Sequence, residues 1–359
     1  MYNNDNTLPA ELQPLCDVYT GKGGKQKCRP WREKKMANEL LAMAYDSINP
    51  SKAARLRECG KFLMFRVYAD GTRKLDKMAS CRVRLCPICT WRRSLVNFAN
   101  NMQIVQYVQA QQPRGWLLGT FTLRRCTGAE LAQQIDLIMY AYKKLLLNTR
   151  VKAAVKGAYR GVEITHDCNQ YITRDLWQRK RDYFVARGLQ IGDKNPQFDT
   201  YHVHIHVIFD VTISYFKNKV YLTQADWAAA WQQAAGVDYT PVVDIRRIQP
   251  KDGNSIAGAI AEVSKYATKS ADYLQPEDWD LTVDTVKLLD SVLNNRRFVS
   301  YSGELLKAQK ALKLKDADNA DLTHITGEYG ADNADNQNYK TETYFWYTGY
   351  RQYGKRRGE

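Results

Sequence analysis

Along residues 200–210, TYHVHIHVIFD, apolar and polar residues alternate. Successive side chains of a strand point to opposite faces. Val203, Ile205 and Val207 would therefore be buried on one side while His202, His204 and His206 project together from the other. Three more runs read as strands: GWLLGTFTLRR, apolar with interleaved threonine; AYRGVEIT, β-branched and aromatic; and YTPVVDIRRI. Helical spacing marks WREKKMANELLAMAYDSI, TGAELAQQIDLIMYAYKKLLL and residues 223–235, where Thr223 caps and Asp226 sits in the first turn. It also marks SIAGAIAEVSKYATKSADYL, capped by Asn254 or Ser255. Strands and helices that alternate in this way predict a layered sheet-and-helix domain.

Elsewhere the periodicity fades. Residues 1–30 are polar and predict a poorly ordered arm, and residues 167–199 predict an insertion loop with one short helix around QRKRDYFVARG. Beyond residue 275 the chain turns acidic and then rich in Asn and Asp, the composition of a weakly ordered linker, before an aromatic and basic tail, YFWYTGYRQYGKRRGE. No internal repeat is visible. The division expected is a basic arm and helix over 1–50, a cysteine module over 51–95, a main domain over 96–300 and an extension over 301–359.

Charge adds a partner class. Among 359 residues, 53 Lys and Arg face 38 Asp and Glu, a net charge of +15 that favours polyanions. Between Lys22 and Lys35 seven basic residues meet one acid, Glu33, which suits either a nucleic-acid-binding arm or a solvated basic tail. The N-terminal residues have no apolar signal core, and no run of about 18 apolar residues occurs. A cytoplasmic protein with reduced thiols is expected, its eight cysteines serving as metal ligands and buried thiols rather than disulfides.

Four of those cysteines cluster. Cys86 and Cys89 in CRVRLCPICTWRRS flank Pro87 at a spacing that turns two sulfurs toward one ion, and Cys59 with Cys81 would complete a structural tetrahedral zinc site. A group of buried free thiols is the plainer alternative. Arg82, Arg84, Arg92 and Arg93 would give such a knuckle a cationic face for phosphates. Cys16, Cys28, Cys126 and Cys168 have no partner at ligand spacing.

The histidines raise the question of what keeps them together. Three imidazoles on one face repel one another when protonated, and a divalent cation would hold them neutral. A carboxylate suits Mg²⁺ or Mn²⁺ as a further ligand, and Glu163 lies in an apolar strand where an unpaired carboxylate is costly. A glutamate facing solvent is the competing reading. On an unbroken helix at about 100° per residue, Tyr266, Lys269 and Tyr273 fall within roughly 40° of Glu262. Ile256, Ile260, Val263 and Ala267 form a separate apolar stripe. A tyrosine oxygen can attack a phosphodiester beside a cation, with Lys269 favouring the phenolate and Glu262 activating water. Tyr273 is the alternative nucleophile.

YHVHIHVIF with EVSKYATK, preceded by FTL and CRVRLCPICTWRRS, resembles the rolling-circle plasmid replication initiators of the HUH endonuclease superfamily. Within that superfamily it is most similar to the class with one tyrosine and a glutamate in place of a second. The resemblance runs from about Trp31 to about residue 310. His204 and His206 match the family's histidine pair, His202 the histidine before it, Tyr266 the nucleophile, Glu262 the hydrolytic glutamate and Lys269 the motif lysine. Glu163 as a ligand rests on its own surroundings. The resemblance implies an α+β fold, with a five-stranded antiparallel sheet, the histidine strand at its centre and the tyrosine helix nearby, beside the zinc module. It implies nicking of one strand at a plasmid's double-strand origin, a 5′-phosphotyrosine link to Tyr266, a free 3′ hydroxyl for host polymerase, and Glu262-directed hydrolysis at termination. A host helicase joins the expected partners, and a homodimer stays open.

Other readings compete. A relaxase usually carries its histidines after the tyrosine, and single-strand transposases are shorter and lack the cysteine unit. A non-catalytic zinc-dependent DNA-binding regulator fits the charge and the cysteines but gives no reason for the histidine strand. A zinc hydrolase using those histidines would be indifferent to Tyr266.

Overall fold

The computed structural model describes residues 8–20, 24–249, 256–265, 268–328 and 338–356. In chain order the strands are β1 Leu12–Pro14, β2 Val18–Thr20, β3 Gln26–Cys28, β4 Phe62–Tyr68, β5 Arg73–Met78 and β6 Arg114–Thr122. β7 Val155–His166, β8 Tyr201–Thr212, β9 Val243–Arg247, β10 Val299–Ser302, β11 Tyr339–Tyr347 and β12 Gln352–Arg356 follow. The helices are α1 Trp31–Ile48, α2 Pro50–Glu58, α3 Pro87–Gln111, α4 Leu131–Leu147, α5 Thr149–Ala154 and α6 Arg174–Arg179. They continue with α7 Arg181–Val185, α8 Gln224–Ala235, α9 Ile256–Val263, α10 Trp279–Leu293 and α11 Gly303–Ala311. No helix among the described residues is long and apolar enough to cross a membrane. The chain forms two compact units, one of residues 1–100, 278–290 and 315–359, the other of 101–277 and 291–314.

The second unit is the expected α+β layer. Its five-stranded sheet has the order β10-β7-β8-β6-β9 with antiparallel neighbours, so the histidine strand β8 is central. Val203, Ile205, Val207 and Phe209 are fully buried on one face. There Phe209 stacks on Trp227 of α8 with centroids 5.0 Å apart, and Phe121 meets Trp231 at 5.1 Å. Thr223 and Asp226 form the capping box that starts α8, as the sequence predicts. The opposite face receives α9, which buries Ala259, Ile260 and Val263. The 167–199 insertion holds two short helices rather than one, around Ile172, Leu176 and Phe184. Its root is fixed by buried Asp167, which accepts from Lys180 Nζ at 2.6 Å and Asn195 Nδ2 at 2.9 Å.

The first unit contains a second five-stranded antiparallel sheet, β1-β12-β11-β4-β5, that the sequence pattern does not anticipate. Two expectations change here. The polar N-terminal arm supplies an edge strand, with Leu12 opposite Arg356 of β12. The supposed linker is, over residues 315–328, a folded cover for the start of α3. Arg92 is fully buried and donates to Glu328 at 2.5 and 2.7 Å and to the carbonyl of Leu322 at 2.7 Å. Arg93, also buried, pairs with Asp318 at 3.1 Å, and Arg84 meets the same carboxylate at 2.9 Å. Arg82 donates to the carbonyls of Asp318 and Ala320, both at 2.9 Å. Of the four arginines expected to face phosphates, Arg92 and Arg93 are therefore buried against their own acceptors, whereas Arg84 is half-buried and Arg82 stays exposed. A buried guanidinium requires its own acceptors, and the acidic segment provides them.

Candidate active site

Register builds the site. Glu163 of β7 lies directly opposite His204 of β8, and Thr120 of β6 lies opposite His206, so all four project from the face under α9. Nε2 of His204 and Nε2 of His206 stand 3.4 and 3.3 Å from the same oxygen of Glu163, Oε2. Ligands that share one divalent ion at about 2.1 Å lie roughly 3.0–3.4 Å apart, so Glu163, His204 and His206 are close enough to hold one metal ion. Thr120 Oγ1 lies 3.0 Å from His206 Nδ1, which fixes the ring with Nε2 toward Glu163. His204 Nδ1 is buried and has no hydrogen-bond partner, so Nε2 is the nitrogen this ring presents to its neighbours. Burial alone would raise the Glu163 carboxyl, but hydrogen bonds from His204, His206 and Lys269 hold it well below the usual carboxylate range.

His202 differs from its two companions. Its ring lies 5.3 Å from that of His204 and stands outside the Glu163, His204 and His206 cluster. Burial, helped by His204 and Arg125, pushes its pKa down to about 4, so it is neutral beside the site. Of the four residues expected as ligands, Glu163, His204 and His206 form the group that could hold a metal ion, and His202 stands beside it.

The helical wheel fails at Val263, where α9 ends after eight residues. Lys269 has extended backbone, and its Nζ reaches Glu163 Oε1 at 2.6 Å. Burial would lower the Lys269 pKa, but the Glu163 carboxylate wins and raises it, so the ammonium is kept. Ser264 accepts from Asn101 Nδ2 at 3.1 Å, a tertiary bond right after the helix end. Glu262 stays on the rim: Oε1 is 3.9 Å from His206 Nε2, and Oε2 meets Lys265 Nζ at 2.5 Å. Tyr266, Asn254 and Ser255 lie outside the described residues. Tyr273, the alternative nucleophile, is buried at 1% exposure.

Sequence reading missed three contributors. Thr120 is the orienting partner of His206; its place between Gly119 and Phe121, with Thr122 two residues on, is the period-two signal that would have exposed it. Gly161, opposite His206, lets α9 touch the sheet, since a Cβ there would lie 2.5 Å from the Val263 carbonyl oxygen. Gly161→Ala is expected to lower unfolding stability by about 1–3 kcal/mol, because the obstruction is backbone. Urea denaturation measures this, and an unchanged midpoint would show that α9 does not press on β7. The third contributor is a cleft of about 230 Å³ lined by Leu118, Arg246, Arg247, Gly258, Ala259 and Glu262, which places two arginines of an edge strand beside the rim glutamate. Cys168 lies 3.1 Å from His166 Nδ1, and burial and nearby carboxylates push its thiol up to about 12, which favours the neutral thiol.

In the first unit Cys59, Cys81, Cys86 and Cys89 converge and are buried. Sulfur pairs stand 3.6, 3.7 and 3.8 Å apart. Tetrahedral zinc with bonds of about 2.3 Å separates its sulfurs by about 3.8 Å, so the pocket fits that ion. The Cys89 N–H donates to Cys86 Sγ at 3.5 Å, and Lys35 Nζ donates to the Cys59 carbonyl at 2.9 Å, which places its amine beside the four sulfurs.

A family model described as replication protein matches residues 72–354. The chain belongs to this replication protein family. It is similar to a Protein rep of Bacillus amyloliquefaciens, 32% identical over an alignment of 376 residues that covers 98% of this chain and 99% of the relative. A Protein rep of Lactiplantibacillus plantarum is 33% identical over 320 residues, covering 88% and 92%. A third, from a Bacillus species, is 35% identical over 292 residues, covering 76% and 85%. No solved structure matches. The expectation of a replication initiator stands on these relatives, while its chemistry rests on the site.

Proposed function

We propose that this replication initiator nicks one strand of a plasmid origin by metal-assisted attack of Tyr266 on a phosphodiester. The observation that supports it is the cluster of Glu163, His204 and His206, with Glu262 at its rim and Lys269 bound to its carboxylate. A bound Mg²⁺ or Mn²⁺ would polarise the phosphate and stabilise the charge that builds on its oxygens. The Tyr266 oxygen bonds to phosphorus, the bond to the 3′ oxygen breaks, and that oxygen leaves as a hydroxyl after taking a proton. Lys269 orients Glu163 and adds positive charge where the phosphate sits. Arg246 and Arg247 line the cleft beside Glu262 and suit the backbone of the strand on its way to the site. The freed 3′ hydroxyl is a primer for host polymerase, with a helicase to open the duplex, inside the bacterial cytoplasm.

Glu262 has the second role, activation of water once replication has come full circle. Glu262→Gln is expected to nick at near the wild-type rate while its covalent adduct persists about 100-fold longer, the contribution of one general base. Time courses of adduct decay in denaturing gels read this directly. Decay at the wild-type rate would assign the hydrolytic step to another group. Arg92 and Arg93, on which a purely DNA-binding zinc regulator would rely, are occupied inside the first unit, which weighs against that reading.

A further inference from the structure

The sheet of the first unit has one face that the nicking reading does not use. Leu63, Phe65, Leu75 and Tyr344 are buried on its inner face. On the outer face, register sets aromatic residues side by side at both ends of the β4–β11 ladder, Phe62 opposite Phe345 and Tyr68 opposite Tyr339. Phe345 is 52% exposed and Tyr339 47%. The six residue steps between them span roughly 20 Å of strand. Cations are interleaved with the rings. Arg66 lies over Tyr339 with its guanidinium carbon 5.0 Å from the centroid, and Lys74 Nζ lies 5.8 Å from the centroid of Tyr68. Lys77, opposite Met64, is exposed on the same face. The acid there, Asp76, is already held by Arg66 at 2.6 Å.

We propose that this face binds single-stranded DNA, with bases stacking on Phe345 and Tyr339 and phosphates meeting Arg66, Lys74 and Lys77. Stacking demands an unpaired base, because the rings of a duplex are already covered by their neighbours. A sheet face with two exposed rings, Phe345 and Tyr339, therefore fits a separated strand better than a groove of double helix. An apolar protein partner would leave the lysines without a counterpart, whereas a phosphodiester backbone supplies one for each. None of these residues belongs to the nicking centre, so the surface stands or falls separately from it.

The test uses the full-length zinc-loaded protein without added Mg²⁺ or Mn²⁺. Fluorescence anisotropy compares a labelled oligothymidylate of roughly 16 nucleotides with a duplex of equal length that lacks an origin sequence. The double variant Tyr339→Ala, Phe345→Ala is expected to bind the single strand about tenfold or more weakly, with less than about twofold change on the duplex. Phe345→Trp should bind like the wild type and Phe345→Leu should not, which separates stacking from mere apolarity and from misfolding. Equal losses on both DNAs, no loss on the single strand, or full binding by Phe345→Leu would each overturn the proposal. The Mn²⁺-dependent covalent adduct, measured in parallel on origin DNA, reports on the nicking centre independently.

Discussion

Glu163→Gln is expected to reduce Mn²⁺-dependent nicking of origin DNA by about 100-fold or more, since losing even an outer partner of a metal ligand typically costs about 10–100-fold. Oxygen Oε2 is shared by Nε2 of His204 and of His206, and Oε1 holds Lys269, so one carboxylate ties both sides of the site. The amide keeps the shape but supplies no charge, and its nitrogen side cannot accept. Binding to origin DNA should stay within about twofold, because few phosphate contacts depend on this buried group. Gel-shift and nicking assays on one preparation separate the two effects. Full activity in Glu163→Gln would remove this residue from the ligand group.

The second large effect concerns the cysteine cluster. Cys89→Ser is expected to lower the melting temperature by roughly 10 °C or more, because a structural zinc site contributes on the order of 10 kcal/mol, comparable to the whole stability of a domain. Cys59 closes α2, and Cys86 with Cys89 opens α3, so the ion would join two helices whose intervening chain forms β4 and β5. Elemental analysis should find one zinc per wild-type chain and none in the variant. A zinc-free wild type with the same melting temperature as Cys89→Ser would leave a cluster of buried thiols.

The site was legible in the sequence to the extent that its signals were local. Alternation in β8 identified the histidine face, because the opposite parity is uniformly apolar and buried. Glu163 stood out as a carboxylate in an apolar run, and cross-strand register with His204 explains it. Cys59 and Cys81 joined their partners despite irregular spacing, since the chain between them makes a hairpin.

What could not be read was decided by distant partners. Periodicity continues past Val263, but the helix ends there, and Lys269 pairs with Glu163, far away in sequence and adjacent in space. The sheet of the first unit joins both chain ends, Leu12 beside Arg356, and no local pattern encodes such pairing. Composition suggested a loose tail over 315–328, whereas its acids neutralise Arg84, Arg92 and Arg93. That Arg92 is buried could not be read for the same reason: its acceptors lie more than two hundred residues on.

In the proposed function a tyrosine oxygen becomes covalently joined to DNA at the metal site. The most direct measurement incubates the protein with Mn²⁺ and single-stranded origin DNA and resolves the products on a denaturing gel. The wild type is expected to form a protein–DNA adduct and Tyr266→Phe none, while both bind the origin. An adduct that forms equally well with Tyr266→Phe would contradict it.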